Sequence, residues 1–405
     1  MTSDPAPGLS AMMADERRVK ANVLRLAMAQ ALAGANASVI FATGSIIGSM
    51  LAPDPSLATL PLSVFVVGMA AGTLPAGWVA RTRGRRAAFM AGTFCGILTG
   101  LIAAIAVLMA SFPLFCVATL FGGLYGSIVQ SFRFAAADGA TPAFRPRALS
   151  WVMAGGVFAG VLGPQLVTWT MDLWQPYLFA VSYLAQAGVA VIAMIVLSGV
   201  DVPKPKPADS AGGRGLLAIL RQPRFLAAAI SGIVAQSMMN LVMTSAPLAM
   251  RMCDLPISAS NWAIQWHIVA MYGPSFFTGN LIARFGASRV VVTGLAITLL
   301  AATVGISGIT EMHFFAMLIL LGLGWNFAFV GASAMVLETH SPQERTRVQS
   351  FNDFLIFGIT ALGSFSSGQV LALHGWSAVN WVVFPPVAIA AVVLFVSGSF
   401  RRRAF

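Results

Sequence analysis

The segment Asp138-Gly-Ala-Thr-Pro142-Ala-Phe-Arg145-Pro-Arg147-Ala-Leu-Ser150 returns 200 residues later as Glu338-Thr-His-Ser-Pro342-Gln-Glu-Arg345-Thr-Arg347-Val-Gln-Ser350. The two copies align without a gap, and the acid, the proline, both arginines and the serine match. Each copy follows one apolar stretch and precedes another. A period this long in a chain of 405 residues exceeds the repeat of any solenoid. The repeat therefore predicts two similar halves.

The composition identifies the solvent of these halves. Hydrophobic residues make up 58% of the chain and charged residues 9%, and the mean hydropathy is +0.83. A soluble protein carries about 25% charged residues. The chain has too few charges to cover a surface that faces water, so it is predicted to be a polytopic membrane protein.

The net charge of +11 invites the hypothesis of a nucleic-acid partner, but the positions of the charges argue against it. Of the 24 Lys and Arg residues, only Arg251 falls in a loop on one side of the predicted membrane. The others lie in the tails, at helix ends or in loops on the opposite side. This asymmetry follows the positive-inside rule and predicts that both termini are cytoplasmic.

Apolar stretches of about 20 residues, the length that spans a bilayer, occur twelve times. The predicted spans are 21–50, 57–80, 87–110, 114–137, 148–170, 176–199, 224–249, 259–283, 287–309, 313–337, 348–372 and 377–399. The predicted fold is an all-α polytopic membrane protein with twelve transmembrane helices in two pseudo-symmetric six-helix bundles. Its parts are a cytoplasmic tail (1–20), a first half (21–199), a flexible Pro/Gly-rich linker (200–223), a second half (224–399) and a basic tail (400–405).

Several classes of site are not expected. Cys95, Cys116 and Cys253 are far apart in the sequence, so neither a disulfide framework nor a metal cluster is predicted. The polar first twenty residues do not resemble a cleavable signal peptide. No HExxH motif, phosphate-binding loop or Ser-His-Asp arrangement within one loop is present. We therefore expect neither an enzyme nor a cofactor.

A second echo supports the two halves. Gly77-Trp-Val-Ala-Arg81-Thr-Arg83-Gly84-Arg85-Arg86 follows the second span, and Gly279-Asn-Leu-Ile-Ala-Arg284-Phe-Gly286 follows the eighth. Twelve spans in two sixes, a basic central loop and these two Gly-rich basic loops resemble the major facilitator superfamily over essentially the whole chain. The resemblance implies a secondary transporter for a small molecule, in which the two halves rock about a central cavity.

The chain departs from the family pattern at Arg81, where the family's loop usually carries an acid that faces the start of the eleventh helix. In this chain that start carries Asp353, so we predict a swapped ion pair between Arg81 and Asp353. Asp138 is expected to meet Arg85 or Arg86 in the same network. The alternative is that these are solvated charges that merely set topology. The predicted cytoplasmic gate comprises Arg81, Arg85, Asp138, Arg145, Glu338, Arg345 and Asp353.

Ionisable groups inside a membrane are functional candidates because their burial is costly. Asp353 could gate, exchange protons or lie exposed at its helix end. Arg133 could take part in coupling or extend to the cytoplasmic interface. His267 could act as a proton switch or form a core hydrogen bond to a neighbouring helix. These three residues are the candidates for coupling.

Neutral polar and aromatic residues occur on the helices expected to line the cavity. Each could bind substrate or form an interhelical hydrogen bond, and as a set they suit a neutral or amphipathic small molecule. The candidates are Gln30, Asn36, Tyr125, Gln130, Gln165, Gln236, Asn240, Gln265, Tyr272, Trp325 and Asn326, with Asn352 beside Asp353.

The segment Gly155–Pro164 partly matches the fifth-helix motif of the family's antiporters, although it also suits a packing seam. It favours export. The leading expectation is a proton-coupled exporter that acts as a monomer in the inner membrane. Import or facilitated transport of a metabolite is the alternative, and a non-transporting scaffold on the same fold is a third hypothesis.

Overall fold

The computed structural model describes residues 7–54, 57–58, 60–201 and 214–398. In these ranges the chain is helical, and we number the α-helices in chain order. They are α1 (Pro7–Leu51), α2 (Leu60–Arg83), α3 (Arg85–Leu108), α4 (Phe112–Asp138), α5 (Arg145–Thr170), α6 (Ala180–Ser198), α7 (Leu216–Leu220), α8 (Pro223–Met252), α9 (Ile257–Tyr272), α10 (Ser275–Phe285), α11 (Ala287–Ser307), α12 (Glu311–Leu337), α13 (Arg345–Trp381) and α14 (Phe384–Val396).

Within the described residues, ten helical segments are long and apolar enough to cross a membrane. The eighth span, predicted as one helix over 259–283, is interrupted between α9 and α10 at Gly273 and Pro274. Proline lacks the N–H group that would continue the helix. The eleventh and twelfth spans are joined at Gly375, which has a φ of 77°. The twelve-span fold class is confirmed, with the eighth span in two pieces.

The described parts of the predicted first tail and linker contain helices. The helix α1 starts at Pro7, inside the predicted tail 1–20. At the linker's two ends, Asn22 donates a 2.6 Å hydrogen bond to the carbonyl of Asp201, and Arg214 pairs with Glu344 at 2.8 Å. The prediction of a flexible linker over 200–223 is therefore wrong for 214–223, which contain α7. Residues 202–213 and the tail 400–405 lie outside the described residues.

Each half has its own packed interior, and the two halves meet through small residues. On α2, a Cβ added to Gly77 would lie 2.1 Å from Ser350 Oγ of α13. On α10, a Cβ added to Gly279 would lie 3.0 Å from the Cβ of Ser150 on α5. These two contacts correspond to each other in the repeat. Close approach of this kind requires glycine, because any larger side chain would separate the helices.

Both contacts lie at one end of the bundle, where ten of the 21 arginines flank the loops after α2, α4, α10 and α12. We call this the basic end. There Arg147 of α5 also donates a 2.7 Å hydrogen bond to Asn280 of α10, across the halves. Nearer the middle, the ring of Tyr272 packs against Gly156 of α5. The two halves are thus in direct contact at the basic end.

Candidate functional site

A buried ion pair joins the two halves near the basic end. Arg133 of α4 donates from Nη2 to Asp353 Oδ1 of α13 at 2.6 Å, and the two side chains are 0% and 5% exposed. Arg133 lies five residues before the end of α4, or about 8 Å along the helix axis. The predicted ion pair between Arg81 and Asp353 is therefore wrong, because Asp353 pairs with Arg133. The Arg133 side chain does not extend to the cytoplasmic interface of the membrane, since it is fully buried.

The guanidinium of Arg133 has partners in both halves. In its own half it donates from Nη1 to the carbonyl and, at 3.0 Å, to the side-chain oxygen of Gln130. To the second half it donates from Nη2 to Asp353 and, at 3.2 Å, from Nε to the hydroxyl of Ser333. Its carbon atom Cζ lies 4.5 Å from the ring centroid of Phe134 and 4.8 Å from that of Phe329. Asp353 therefore balances the charge, and four of the five guanidinium N–H donors have acceptors among the described residues.

A second network lies closer to the basic end. The side chain of Asp138 is 4% exposed, and its Oδ2 atom accepts two hydrogen bonds from Arg85, one from Nε at 2.8 Å and one from Nη2. From the second half, Arg345 approaches Asp138 at 3.9 Å and Gln349 donates to it at 3.3 Å. Gln349 also accepts from Arg85 at 2.6 Å. The predicted contact between Asp138 and Arg85 is formed, and the network ties α3 and α4 to α13.

A cavity of about 20 Å³ lies between these two networks, with room for about one water molecule. Hydroxyl groups of Thr73, Ser131 and Ser350 line it, together with the side chains of Arg85 and Asp353. Apolar residues such as Ala76, Phe89 and Phe134 complete the lining, so a small space of mixed character separates the two networks at the interface of the halves.

Two of the predicted gate residues bond within their own half. Glu338 pairs with Arg224 of α8 at 2.5 Å, and both side chains are partly exposed. Burial raises the pKa of the Glu338 carboxyl, against the lowering effect of Arg224. Arg145 donates at 3.3 Å to the carbonyl of Ala140. Glu338 was predicted to belong to the cytoplasmic gate, and its partner lies in the second half, so this pair does not join the two halves.

Halfway along the helices, four of the predicted cavity residues form a layer that we call the middle layer: Gln30, Gln236, Tyr272 and Trp325. Trp325 Nε1 donates to Gln236 Oε1 at 2.9 Å, and its ring meets that of Tyr272 edge-on at 5.6 Å. Gln30 of α1 lies beside Gly155 of α5. Each residue lies 12 or 13 positions from the basic end of its span, or about 18–20 Å along the axis.

An aromatic stack connects this layer to the ion pair. The rings of Trp325 and Phe329 are parallel to within 13°, with centroids 4.8 Å apart. Phe329 in turn covers Arg133. Two aromatic residues of the second half, Trp325 and Phe329, therefore connect the middle layer to Arg133 of the first half.

Other predicted cavity residues hold their own half together. Asn36 accepts from Gln186 and donates to the carbonyl of Gly122, and Asn326 donates to Ser275 at 2.6 Å. Tyr125 packs its ring on Gly96 inside the first half. The structure corrects these three residues from cavity lining to helix packing. Gln165 and Gln265 are half-buried and Asn240 is buried, and their role in the cavity remains a prediction.

His267 is also part of an interior. It is fully buried, and its Nδ1 lies 2.7 Å from the carbonyl oxygen of Leu318 on α12. This is the hydrogen bond to a neighbouring helix that the sequence offered as the alternative to a proton switch. Among the described residues its Nε2 has no hydrogen-bond partner.

Sequence reasoning did not find Gln349, Ser333 or Phe329. A signal for Ser333 was present, because the repeat offset of 200 aligns Arg133 with Ser333. A residue that bonds to its own counterpart lies on the approximate two-fold axis between the halves. Applying the offset to every ionisable residue of the spans would have brought Ser333 to attention.

The chain was compared with known proteins. The family model described as Major Facilitator Superfamily matches residues 26–272 and 257–404. The riboflavin transporter RfnT of Brucella anthropi is 44% identical over 385 residues, which cover 94% of this chain and 97% of the relative. The uncharacterised MFS-type transporter YdeG of Bacillus subtilis is 27% identical, with coverage of 90% and 88%. The solved structure of the proton:xylose symporter XylE has a TM-score of 0.79 at 14% identity and covers 94% of this chain and 96% of the symporter.

Proposed function

Because the chain belongs to the major facilitator superfamily of membrane transporters, we propose that it carries riboflavin across the membrane by alternating access. The resemblance, the multi-pass fold and the expectation that the chain is not an enzyme are confirmed by this membership. The relative RfnT, which is similar over nearly the full length of both chains, supports the choice of substrate.

The observation that carries the proposal is the chemistry of the middle layer. Riboflavin has a planar three-ring system, which stacks on aromatic side chains. One edge of that system presents hydrogen-bond donors and acceptors, which a glutamine amide can match with both of its functions. Trp325 and Tyr272 supply aromatic surface, and Gln30 and Gln236 supply the amides. Transporters of this kind bind substrate near the bilayer midplane.

The two charged networks are proposed as the cytoplasmic gate. The positive-inside rule makes the basic end cytoplasmic, and both networks join the halves there. Opening this end would break the contacts of Asp138 with Arg345 and Gln349, and that of Arg133 with Asp353. In this proposal the described conformation is the one closed towards the cytoplasm.

Asp353 is the coupling residue that the geometry favours. When the halves separate, Arg133 keeps Gln130 and the Phe134 ring, which belong to its own half. Among the described residues of its own half, Asp353 keeps Asn352, whose amide donates at 3.2 Å. Loss of the adjacent cation removes the interaction that favours the ionised carboxylate, so the protonated form of the carboxyl becomes more favourable. Opening to the cytoplasm is therefore coupled to protonation of Asp353.

The net direction remains the prediction of the sequence, which is export from a multi-pass monomer in the inner membrane. Uptake is the alternative, and both use the same conformational cycle. A pH gradient imposed on proteoliposomes, with either the inside or the outside acidic, distinguishes export from uptake. Only one of these two gradients drives accumulation of the substrate.

The substrate is tested by counterflow of labelled riboflavin into proteoliposomes that contain excess unlabelled riboflavin. Trp325→Ala is expected to reduce the flux at least about tenfold, the effect of losing roughly 1.4 kcal/mol of binding. Trp266→Ala is the matched control, since Trp266 lies on α9 of the same half and is 48% exposed. Absence of riboflavin counterflow in the wild type would refute the proposed substrate.

Coupling is tested with Asp353→Asn. The variant is expected to keep counterflow, which needs no gradient, and to lose accumulation driven by a pH gradient. Glu338→Gln, which removes a partly exposed acid of the same end, should respond like the wild type. Gradient-driven accumulation by Asp353→Asn would exclude Asp353 as the coupling residue.

A further inference from the structure

We propose that in the described conformation the site selects uncharged flavins and rejects their 5′-phosphates, because Asp353 already neutralises Arg133, the cation that lies between the middle layer and the basic end. This inference rests on the proposed function and concerns the same site. It follows from the position of the aromatic stack, from the partners of Arg133 and from the neutral character of the middle layer.

The position of the stack places Arg133 within reach of a bound flavin. Centroids of Trp325 and Phe329 are 4.8 Å apart, and a further 4.8 Å separates the Phe329 centroid from Arg133 Cζ. These two steps together are longer than the five-carbon ribityl chain and are comparable to that chain with its 5′-phosphate. A flavin that stacks in the middle layer with its ribityl chain towards the basic end therefore directs its terminal hydroxyl towards Arg133. A phosphate on that hydroxyl would lie next to Arg133.

Arg133 cannot serve such a phosphate. Its Nη2, Nη1 and Nε atoms already donate to Asp353, Gln130 and Ser333. Together with Asp353 it forms a pair without net charge, and both members are buried. A phosphate brings about two negative charges at neutral pH and would meet the Asp353 carboxylate in a medium of low dielectric constant, where repulsion is strong.

The other groups near this place cannot compensate a phosphate either. The amides of Gln30, Gln130 and Gln236 are neutral. Arg85, on the far side of the small cavity, is already paired with Asp138 and Gln349. The transfer of an uncompensated anion into such a site is unfavourable by several kcal/mol. A terminal hydroxyl carries no such penalty and can bond to an amide oxygen.

The test measures counterflow of labelled riboflavin in proteoliposomes, with unlabelled riboflavin or flavin mononucleotide as competitor. For the wild type, flavin mononucleotide is expected to compete at least about a hundredfold more weakly than riboflavin, which corresponds to roughly 2.7 kcal/mol. Competition by flavin mononucleotide within about threefold of riboflavin would overturn the inference. If the wild type shows no riboflavin counterflow at all, the proposed function fails, and that outcome is separate from a failure of selectivity.

Two variants test whether the neutralised Arg133 causes the discrimination against flavin mononucleotide. Asp353→Asn leaves the Arg133 charge unpaired, so flavin mononucleotide should gain at least about tenfold in competition, or roughly 1.4 kcal/mol. The double variant Arg133→Gln with Asp353→Asn removes both charges and should show no gain. An equal gain in both variants, or no gain in a folded Asp353→Asn protein, would overturn the role of the pair. If the single variant does not fold, the wild-type comparison still decides the selectivity.

Discussion

The two halves of the molecule are alike in their packing contacts and unlike in their charges. Gly77 of the first half touches Ser350, and Gly279 of the second half touches Ser150. The charged copies behave differently, because Asp138 reaches Arg345 of the other half, whereas Glu338 pairs with Arg224 of its own. The offset of 200 also aligns Arg133 with Ser333 and Asp353 with Met153.

Electrostatics explains this difference. Near an approximate two-fold axis a residue meets its own counterpart. A glycine–serine contact can form twice, once on each side of the axis, because neither residue carries a charge. An arginine that met an arginine would be strongly destabilised in a buried site. Arg133 therefore meets Ser333, and the acid that balances it occurs in one half only.

The largest effect is expected from breaking the buried pair. Arg133→Leu and Asp353→Leu should each lower the free energy of unfolding by about 3–5 kcal/mol, because each leaves an uncompensated buried charge. The double variant should recover most of the loss. Unfolding in detergent measures all three, with the exposed pair Arg224→Gln and Glu338→Gln as control at about 0–1 kcal/mol. Additive losses in the double variant would show that the pair is not coupled.

The next effect separates the two acids of the repeat. Asp138→Asn should favour the conformation that is open at the basic end by about 1.5–3 kcal/mol, the contribution of hydrogen bonds to a charged group. Glu338→Gln should leave the equilibrium unchanged, because its partner lies in its own half. Distances between spin labels at the exposed positions Arg83 and Arg289 report the opening. Equal shifts in the two variants would contradict the asymmetry.

The packing contacts should respond symmetrically. Gly77→Val and Gly279→Val are each expected to destabilise the closed basic end by about 1–3 kcal/mol, since the new side chain overpacks the interface. The same spin labels measure both. Gly358→Val on α13 is the control, because a Cβ there meets nothing within 4 Å. A large difference between the two glycine variants would show that the contacts are not equivalent.

The smallest effect concerns Glu344, which aligns with Phe144 and so has no counterpart in the first half. Arg214 holds the pKa of its carboxyl well below the usual range. A lowered pKa gives a contribution that is complete above the ordinary value of about 4.3 and is lost only as the pH falls below it. Glu344→Gln should therefore cost about 1 kcal/mol, equally between about pH 5 and pH 9. Thermal unfolding across that range measures it, and a loss that varied with pH would contradict the assignment.

Much of the fold could be predicted from the sequence, and less of the candidate site. Apolar length and the positions of arginines predict spans and sidedness, because the bilayer imposes both. The contact of Asp138 with Arg85 could also be predicted, since Arg85 begins α3 and Asp138 ends α4 at the same side of the membrane. The partner of Asp353 was not, because two residues at one depth can still point to different neighbours. Asn36 and Asn326 likewise have the composition of cavity residues but bond within their halves.

The sequence by itself determined the repeat, the twelve spans and the depth of each ionisable residue, because these depend on the order of residues and on a constant rise per residue. Only the tertiary structure decided that Asp353 faces Arg133, that Glu338 turns to Arg224 and that Trp325 stacks on Phe329. The physical reason is that the rotation of each helix about its axis is set by the close packing of all its neighbours at once.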